Sequence, residues 1–287
     1  MIDTKQKSWV YALITAIIWG TGVVFIRLTF GSFSVVSLAV SRVWLAAITM
    51  LIICFIKKIP LPRLRDVPVF FIAGATGFVF YTVFYNMGFS RVPASTGTVV
   101  LASSPIFTAL IARVFLKERI RPLGWVFTGV SFVGILILVL WNGVLSINGG
   151  VLYLLLTATL LSCYNLIQRR LTKRYSALQS CAYSIIASAL LMSPLLPSAV
   201  SDAVAADTTA IAVLIFLGVG GSGVAYLLWS KAFSLAKRTA DVSNFLYLPP
   251  FLAIIVAFAV FSELPDWGTV IGGAVILFGL WMFQKKA

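Results

Sequence analysis

Long apolar stretches, broken by short polar ones, run the whole length of the chain. Each stretch is roughly 20 residues, the length an α-helix needs to cross the hydrocarbon core of a bilayer. The pattern predicts ten helical spans, at about 9–30, 34–56, 67–88, 94–115, 122–141, 149–168, 177–197, 209–235, 240–261 and 266–283. The breaks leave no room for a soluble domain. The longest, Ser198 to Thr208, carries only Asp202 and Asp207 as charges. The expected fold class is therefore an all-α polytopic membrane protein.

The pattern also repeats. Ala94 to Glu118 is followed, 145 positions later, by Thr239 to Glu263. Pro105 then falls on Pro250, Glu118 on Glu263 and Tyr81 on Tyr226. Phe33 to Met50 lies over Tyr175 to Met192 at a shift of 142, and Arg27-Leu28 over Arg170-Leu171 at 143. A period this long is a duplicated half-protein rather than a solenoid repeat. Two units follow, residues 1–145 and 146–287, each of five spans. An odd number of spans makes the second unit enter the membrane the other way up. Inverted repeats of this kind are a transporter signature, with the substrate site near the bilayer midplane between the halves.

Composition and charge refine this picture. The chain is 61% hydrophobic and 10% charged, against about a quarter charged in soluble domains. The net charge of +14 invites a nucleic-acid reading. That reading fails, because the basic residues sit in short clusters between apolar runs. With the N-terminus inside, the cytoplasmic segments hold 17 of the 22 basic residues, which predicts cytoplasmic termini in a cell membrane. The first apolar run lacks a small-residue cleavage site and reads as a mature helix. Cys54, Cys163 and Cys181 lie in apolar runs without paired spacing and read as inert buried thiols. Histidine is absent, so the commonest proton relay and metal ligand is missing, and nothing calls for a cofactor or metal.

Trp19-Gly20 in span 1, Arg42 in span 2, the end of span 3 and the two proline-containing blocks, taken in order, resemble the EamA family of the drug/metabolite transporter superfamily. The resemblance rests on Trp19-Gly20, Arg42, Tyr85-Asn86-Met87-Gly88 and the block Pro93-Ala94-Ser95 through Pro105 to Leu116-Lys117-Glu118. A second set, Ala225 to Trp229 and Tyr247-Leu248-Pro249-Pro250 through Glu263, looks like the other copy. Pro249-Pro250 and Ser262-Glu263 depart from the family pattern, which usually has one Pro after a polar residue and a Gly before the Glu. The resemblance implies a ten-helix fold and export of metabolites, amino acids among them.

Polar residues inside spans are expensive in lipid and face protein or water. Trp19, Tyr81, Tyr85, Asn86, Ser103, Tyr164, Asn165, Tyr226, Trp229, Asn244 and Tyr247 fall within spans of both halves. Together they suit an apolar-walled pocket with a few orienting groups. Singly, each also suits interhelical packing. Arg42 and Lys231 are the candidates for recognising an anion. Arg42 lies about 12 Å below Ser34 at 1.5 Å per residue. Both also suit structural roles, and Lys231 is placed to snorkel. No carboxylate lies in the middle of a span, so facilitated efflux competes with proton antiport. Pro105 and Pro250 are read inside spans 4 and 9, as packed kinks or as hinges. Gly268 and Gly272 form a GxxxG and Gly124, Gly129 and Gly134 line span 5, for packing within or between subunits.

The expectation is a secondary-type transporter exporting small polar metabolites, amino acids or related compounds, by alternating access around a central pocket. The alternative is carriage of anionic carboxylates or phosphorylated metabolites through Arg42 and Lys231. A membrane-embedded enzyme lacks both a nucleophile–base pair and a metal set. The expected partners are a small-molecule substrate and lipid, with the chain a monomer or weak homodimer.

Overall fold

The computed structural model describes residues 4–115, 122–141, 149–235, 245 and 248–286. Among the described residues the regular structure is all helical. The reason is solvent: lipid offers no hydrogen-bond partners, so each apolar segment must pair its own backbone groups. The helices are α1 (Thr4–Phe25), α2 (Val35–Ile56), α3 (Val67–Gly74), α4 (Phe80–Phe89), α5 (Ala94–Leu101), α6 (Ser104–Phe115) and α7 (Pro122–Leu140). In the second half come α8 (Gly149–Leu171), α9 (Ala177–Met192), α10 (Leu196–Ala205), α11 (Thr208–Ile215), α12 (Ala225–Leu235), α13 (Leu248–Phe261) and α14 (Trp267–Lys286).

Among the described residues six helical segments are long and apolar enough to cross a membrane, and a seventh is if the bent pair Ala177–Leu191 and Ser193–Ala205 counts as one. Three shorter apolar helices, Pro122–Ile137, Leu248–Phe261 and Trp267–Phe283, complete the set. Large apolar side chains project outward along them, among them Phe55, Val126, Ile255 and Phe278. A surface this greasy belongs against lipid rather than water.

The chain departs from its expected course at two places. Ser198 to Thr208 was expected as a loop, but most of it is helix α10, set at 52° to α9. Pro194 in the turn Ser193–Leu195 and Pro197 in the first turn of α10 account for the bend, since proline cannot donate to the preceding turn. Span 4 was expected to kink at an interior Pro105. Instead the helix stops at Leu101 and restarts at Ser104, leaving Pro105 in a first turn. There its missing N–H is one the helix would not have used. The break is stitched locally: Ser103 N donates to Val100 O at 3.1 Å and Ile106 N to Ser103 O at 2.9 Å. Pro250 lies in the first turn of α13 as that helix is described.

Each half donates helices to the other. α1 packs on α12 and α13 from the second half, while α8 packs on α4, α5 and α6 from the first. α2 meets α9 and the glycine-rich segment before α12, and α9 in turn meets α3. α7 lies along α14. Glycines set that last distance: a Cβ on Gly134 would stand 2.7 Å from the Gly272 carbonyl, and one on Gly268 would stand 2.3 Å from Trp141. The GxxxG thus packs within the chain. A Cβ on Gly129 would meet nothing within 4 Å.

Local devices recur in register. Ser34 caps α2 by accepting from Ser37 N at 3.1 Å, and Ser176, 142 residues on, caps α9 by accepting from Gln179 N at 3.2 Å. Each cap satisfies an N–H that the first helical turn leaves free. A wider turn of π-helix interrupts the chain at Ala75–Val79 and again at Phe216–Val224. Shifted by 145, the first falls inside the second. Acidic latches tie neighbouring turns together. Tyr175 donates to Asp66 at 2.7 Å, and Ser32 donates to Asp207 at 2.9 Å. Arg27, in the turn after α1, pairs with Glu263 after α13.

Candidate functional site

The two π-helical segments explain where the site forms. Such a turn leaves carbonyls out of the usual ladder and often marks a functional position in a helix. In the second half the indole of Trp19 donates to the Gly221 carbonyl at 3.1 Å, meeting the buried indole's need for a partner. In the first half Tyr164, 145 residues after Trp19, sits on Gly77 so closely that a Cβ there would lie 2.2 Å from its ring. Each half thus places an aromatic ring on the π segment of the other.

The rings join into one seam. Tyr226 is at its centre, with ring centroids 5.3 Å from Trp19, 5.2 Å from Phe78 and 6.4 Å from Tyr164. Phe78 also lies 5.3 Å from Tyr164, and Trp229 lies 5.3 Å from Trp19. Tyr81 joins the seam from the first half through Tyr85, and Tyr226 joins it from the second through Phe78. Tyr85 extends the run, 5.6 Å from Tyr81 and 4.5 Å from Phe89. Most of these pairs are edge-on or tilted, the arrangements ring quadrupoles favour.

Arg42 stands at the end of this seam. Its residue is 6% exposed, yet no carboxylate pairs with it among the described residues. Nη1 donates to Asn86 Oδ1 at 3.1 Å, and the guanidinium lies 5.2 Å from the centre of the Tyr85 ring. Asn86 is itself fixed, because its Nδ2 donates to the Val35 carbonyl at 3.0 Å. The Arg42 Nε is enclosed and has no hydrogen-bond partner; the same holds for Trp44 Nε1 two residues on. Burying an ion costs several kcal/mol even after relaxation. One charge-assisted hydrogen bond returns about 1.5–3 kcal/mol and a desolvated cation–π contact about 2. The two contacts return a comparable amount, but neither reaches the enclosed Nε, which stays without a partner.

Several expected site residues do not join this group. Asn165 is exposed on α8, because the helical turn that buries Tyr164 carries the next residue outward. Lys231 is exposed as well, its Nζ 5.3 Å above the Tyr11 ring, so it shares no site with Arg42. Ser103 is fully buried, but its hydroxyl donates to Val100 O at 2.6 Å and serves the helix break. Asn244 and Tyr247 lie outside the described residues. Phe78 was missed, although it shares a face with Tyr81 and Tyr85 at helical spacing. Ser184 was also missed: Gln168, a polar residue of the same span as Tyr164, donates from Nε2 to its Oγ at 3.0 Å.

In this conformation the rings lie across the seam between the halves. Two hollows among the described residues lie away from it. One of about 580 Å³ is lined by Leu51, Phe55, Lys58 and Tyr183, where α2 and α9 end. Another, of about 360 Å³, lies between Val133 and Trp141 on α7.

Comparison with known proteins gives this arrangement its context. The chain matches the model of the EamA-like transporter family twice, over residues 6–140 and 148–284. It is 30% identical over 286 residues to a probable terminal-alkyne amino-acid exporter of Streptantibioticus cattleyicolor, covering 98% of this chain and 95% of that one. It is 32% identical over 193 residues to an S-adenosylmethionine uptake transporter of Rickettsia prowazekii, covering 67% of this chain and 64% of that one. A crystal structure of a protein with 18% identity superposes over 98% of this chain at a TM-score of 0.64, which speaks to the fold alone. The relatives are named as transporters rather than enzymes. This chain is a multi-pass membrane protein belonging to the EamA-like transporter family.

Proposed function

We propose that the chain exports small polar metabolites, amino acids or related compounds, by alternating access at the aromatic seam. The observation that carries this is the crossed placement of Trp19 and Tyr164, each resting on the π segment of the opposite half. Parting the halves opens the seam, and closing it excludes water from what lies between. The similarity to a probable amino-acid exporter supports the substrate class.

In this reading the bent α9–α10 pair and the three shorter apolar helices all cross the membrane, giving ten spans. Residues 1–145 and 146–287 form two five-helix repeats of opposite orientation. The crossed packing and the double family match support that division. The termini lie in the cytoplasm, as the lysine and arginine bias favours. The break before Pro105 serves as a hinge, with Pro250 as its counterpart in the second half.

The test is flux in proteoliposomes across the common amino acids, with and without a pH gradient. Efflux or counterflow of at least one amino acid is expected. Failure of any small solute to move under either condition overturns the reading. The alternative of anionic cargo keeps one support, the unpaired Arg42 guanidinium, and loses another, because Lys231 points elsewhere.

A further inference from the structure

We propose that Arg42 is a docking site for a single carboxylate of the transported solute. The inference deepens the transport reading and rests on it.

The guanidinium has two usable edges. Asn86 takes the Nη1 end with a neutral amide oxygen at 3.1 Å, which orients the group without cancelling its charge. Nε, on the other edge, is enclosed and unpartnered. The edge formed by Nε and Nη2 matches the two oxygens of a carboxylate, the bidentate pairing for which arginine is suited. Asn86 is locked by Val35 O, so it holds the fork at a fixed angle to the seam. Tyr85 covers the guanidinium face, and Tyr81 packs on Tyr85 with ring centroids 5.6 Å apart. In this conformation the seam is shut around the fork, and the carboxylate enters as the halves part.

One cation calls for one negative charge. A monocarboxylate fits; a dianionic phosphate would bring a second charge with no partner, since Lys231 sits on Tyr11 instead. Among the described residues the acids lie at helix ends, at Asp66, Asp202, Asp207, Glu263 and Asp266. The ammonium of an amino acid would therefore meet the faces of Tyr81, Tyr226 and Trp19, an environment that attracts cations.

The experiment is counterflow in proteoliposomes of the full chain. An amino acid that moves is compared with its amide and its decarboxylated amine, and inorganic phosphate is added as a competitor. The expected result is flux of the amino acid, loss of about thirtyfold or more for the amide and amine, and no competition by phosphate. Flux of amide and amine at the amino acid's rate overturns the carboxylate site while transport stands. Competition by phosphate overturns the monocarboxylate class. If no solute moves, the transport reading itself fails.

Arg42→Gln is the direct variant but risks misfolding. Asn86→Asp places a carboxylate of the protein's own beside Nη1 but gives up the donation to the Val35 carbonyl. The new ion pair is expected to offset that lost bond, so the protein melts near wild type and loses amino-acid flux by about tenfold or more, because the internal acid competes for the fork. An Asn86→Asp protein that melts normally and carries the amino acid at the wild-type rate overturns the proposal.

Discussion

The two halves treat one equivalent position differently. In the first, Arg42 projects from α2 and meets Asn86 and Tyr85. In the second, the residue 142 positions later is Ser184 on α9, held by Gln168. The scaffold around them is shared: serine caps, π segments, and a ring laid on the opposite half. The charge is not. The repeat supplies the serine cap and the π segment twice, but a buried charge stands at only one of the two equivalent positions. A second buried cation would double the desolvation cost without a second anion to offset it.

The most severe way to break that comparison is Ser184→Arg. Ser184 is fully buried, and its carbonyl would be 2.6 Å from a Cβ on Gly74. An unpaired guanidinium there is expected to cost about 3–5 kcal/mol, read as loss of folded protein in detergent melts. Next come the two amides. Asn86→Leu strips the Arg42 fork of its hydrogen bond and leaves a bare buried charge, at about 3 kcal/mol. Gln168→Leu removes neutral hydrogen bonds only, and the Ser184 hydroxyl keeps its bond to Ser180 O at 2.8 Å. A cost of about 1 kcal/mol is expected, with substrate preference unchanged. Equal melting shifts for the two would erase the distinction drawn here.

A smaller contrast lies in the π segments. Gly77→Ala would push a methyl against Tyr164 at 2.2 Å, whereas Gly221→Ala meets nothing closer than a carbonyl at 4.0 Å. Overpacking at Gly77 should cost about 1–3 kcal/mol and slow flux, while the Gly221 variant melts within about 0.5 kcal/mol of wild type. The mildest effect concerns the latch at Asp207. The Ala210 N–H, then the Ser32 hydroxyl, hold its carboxyl below the usual carboxylate range. A group depressed in the folded state stabilises above its unfolded pKa, and that part is lost as pH falls through the folded value. Asp207→Asn should flatten the acid side of the melting-temperature profile slightly; an unchanged profile would mean the latch contributes nothing.

Much of the site was legible before any coordinates. Tyr81 and Tyr226 are paired by the 145-residue shift, and both lie in the run of rings between the halves. Arg42 stood out because a lone cation in an apolar run has no cheap explanation. Asn165 misled, because helical spacing says which residues share a face but not which face turns inward. Lys231 misled for the same reason, and its long stem lets the ammonium leave the site altogether. Pro105 was read as an interior kink because sequence marks the proline but not the helix end just before it. Phe78 was overlooked since one more phenylalanine in a chain with 22 carries no signal of its own.

By itself the sequence determined that this chain lives in lipid, that it is helical and that it carries an internal repeat. Those follow from composition and from the demand that a backbone in hydrocarbon satisfy its own hydrogen bonds. Only the tertiary structure decided that Trp19 and Tyr164 cross between halves, and that Arg42 is left with an amide where a carboxylate would neutralise it. Such facts depend on which surfaces pack together. Compensation of a charge is a property of distances between residues far apart in the chain, and no local pattern records them.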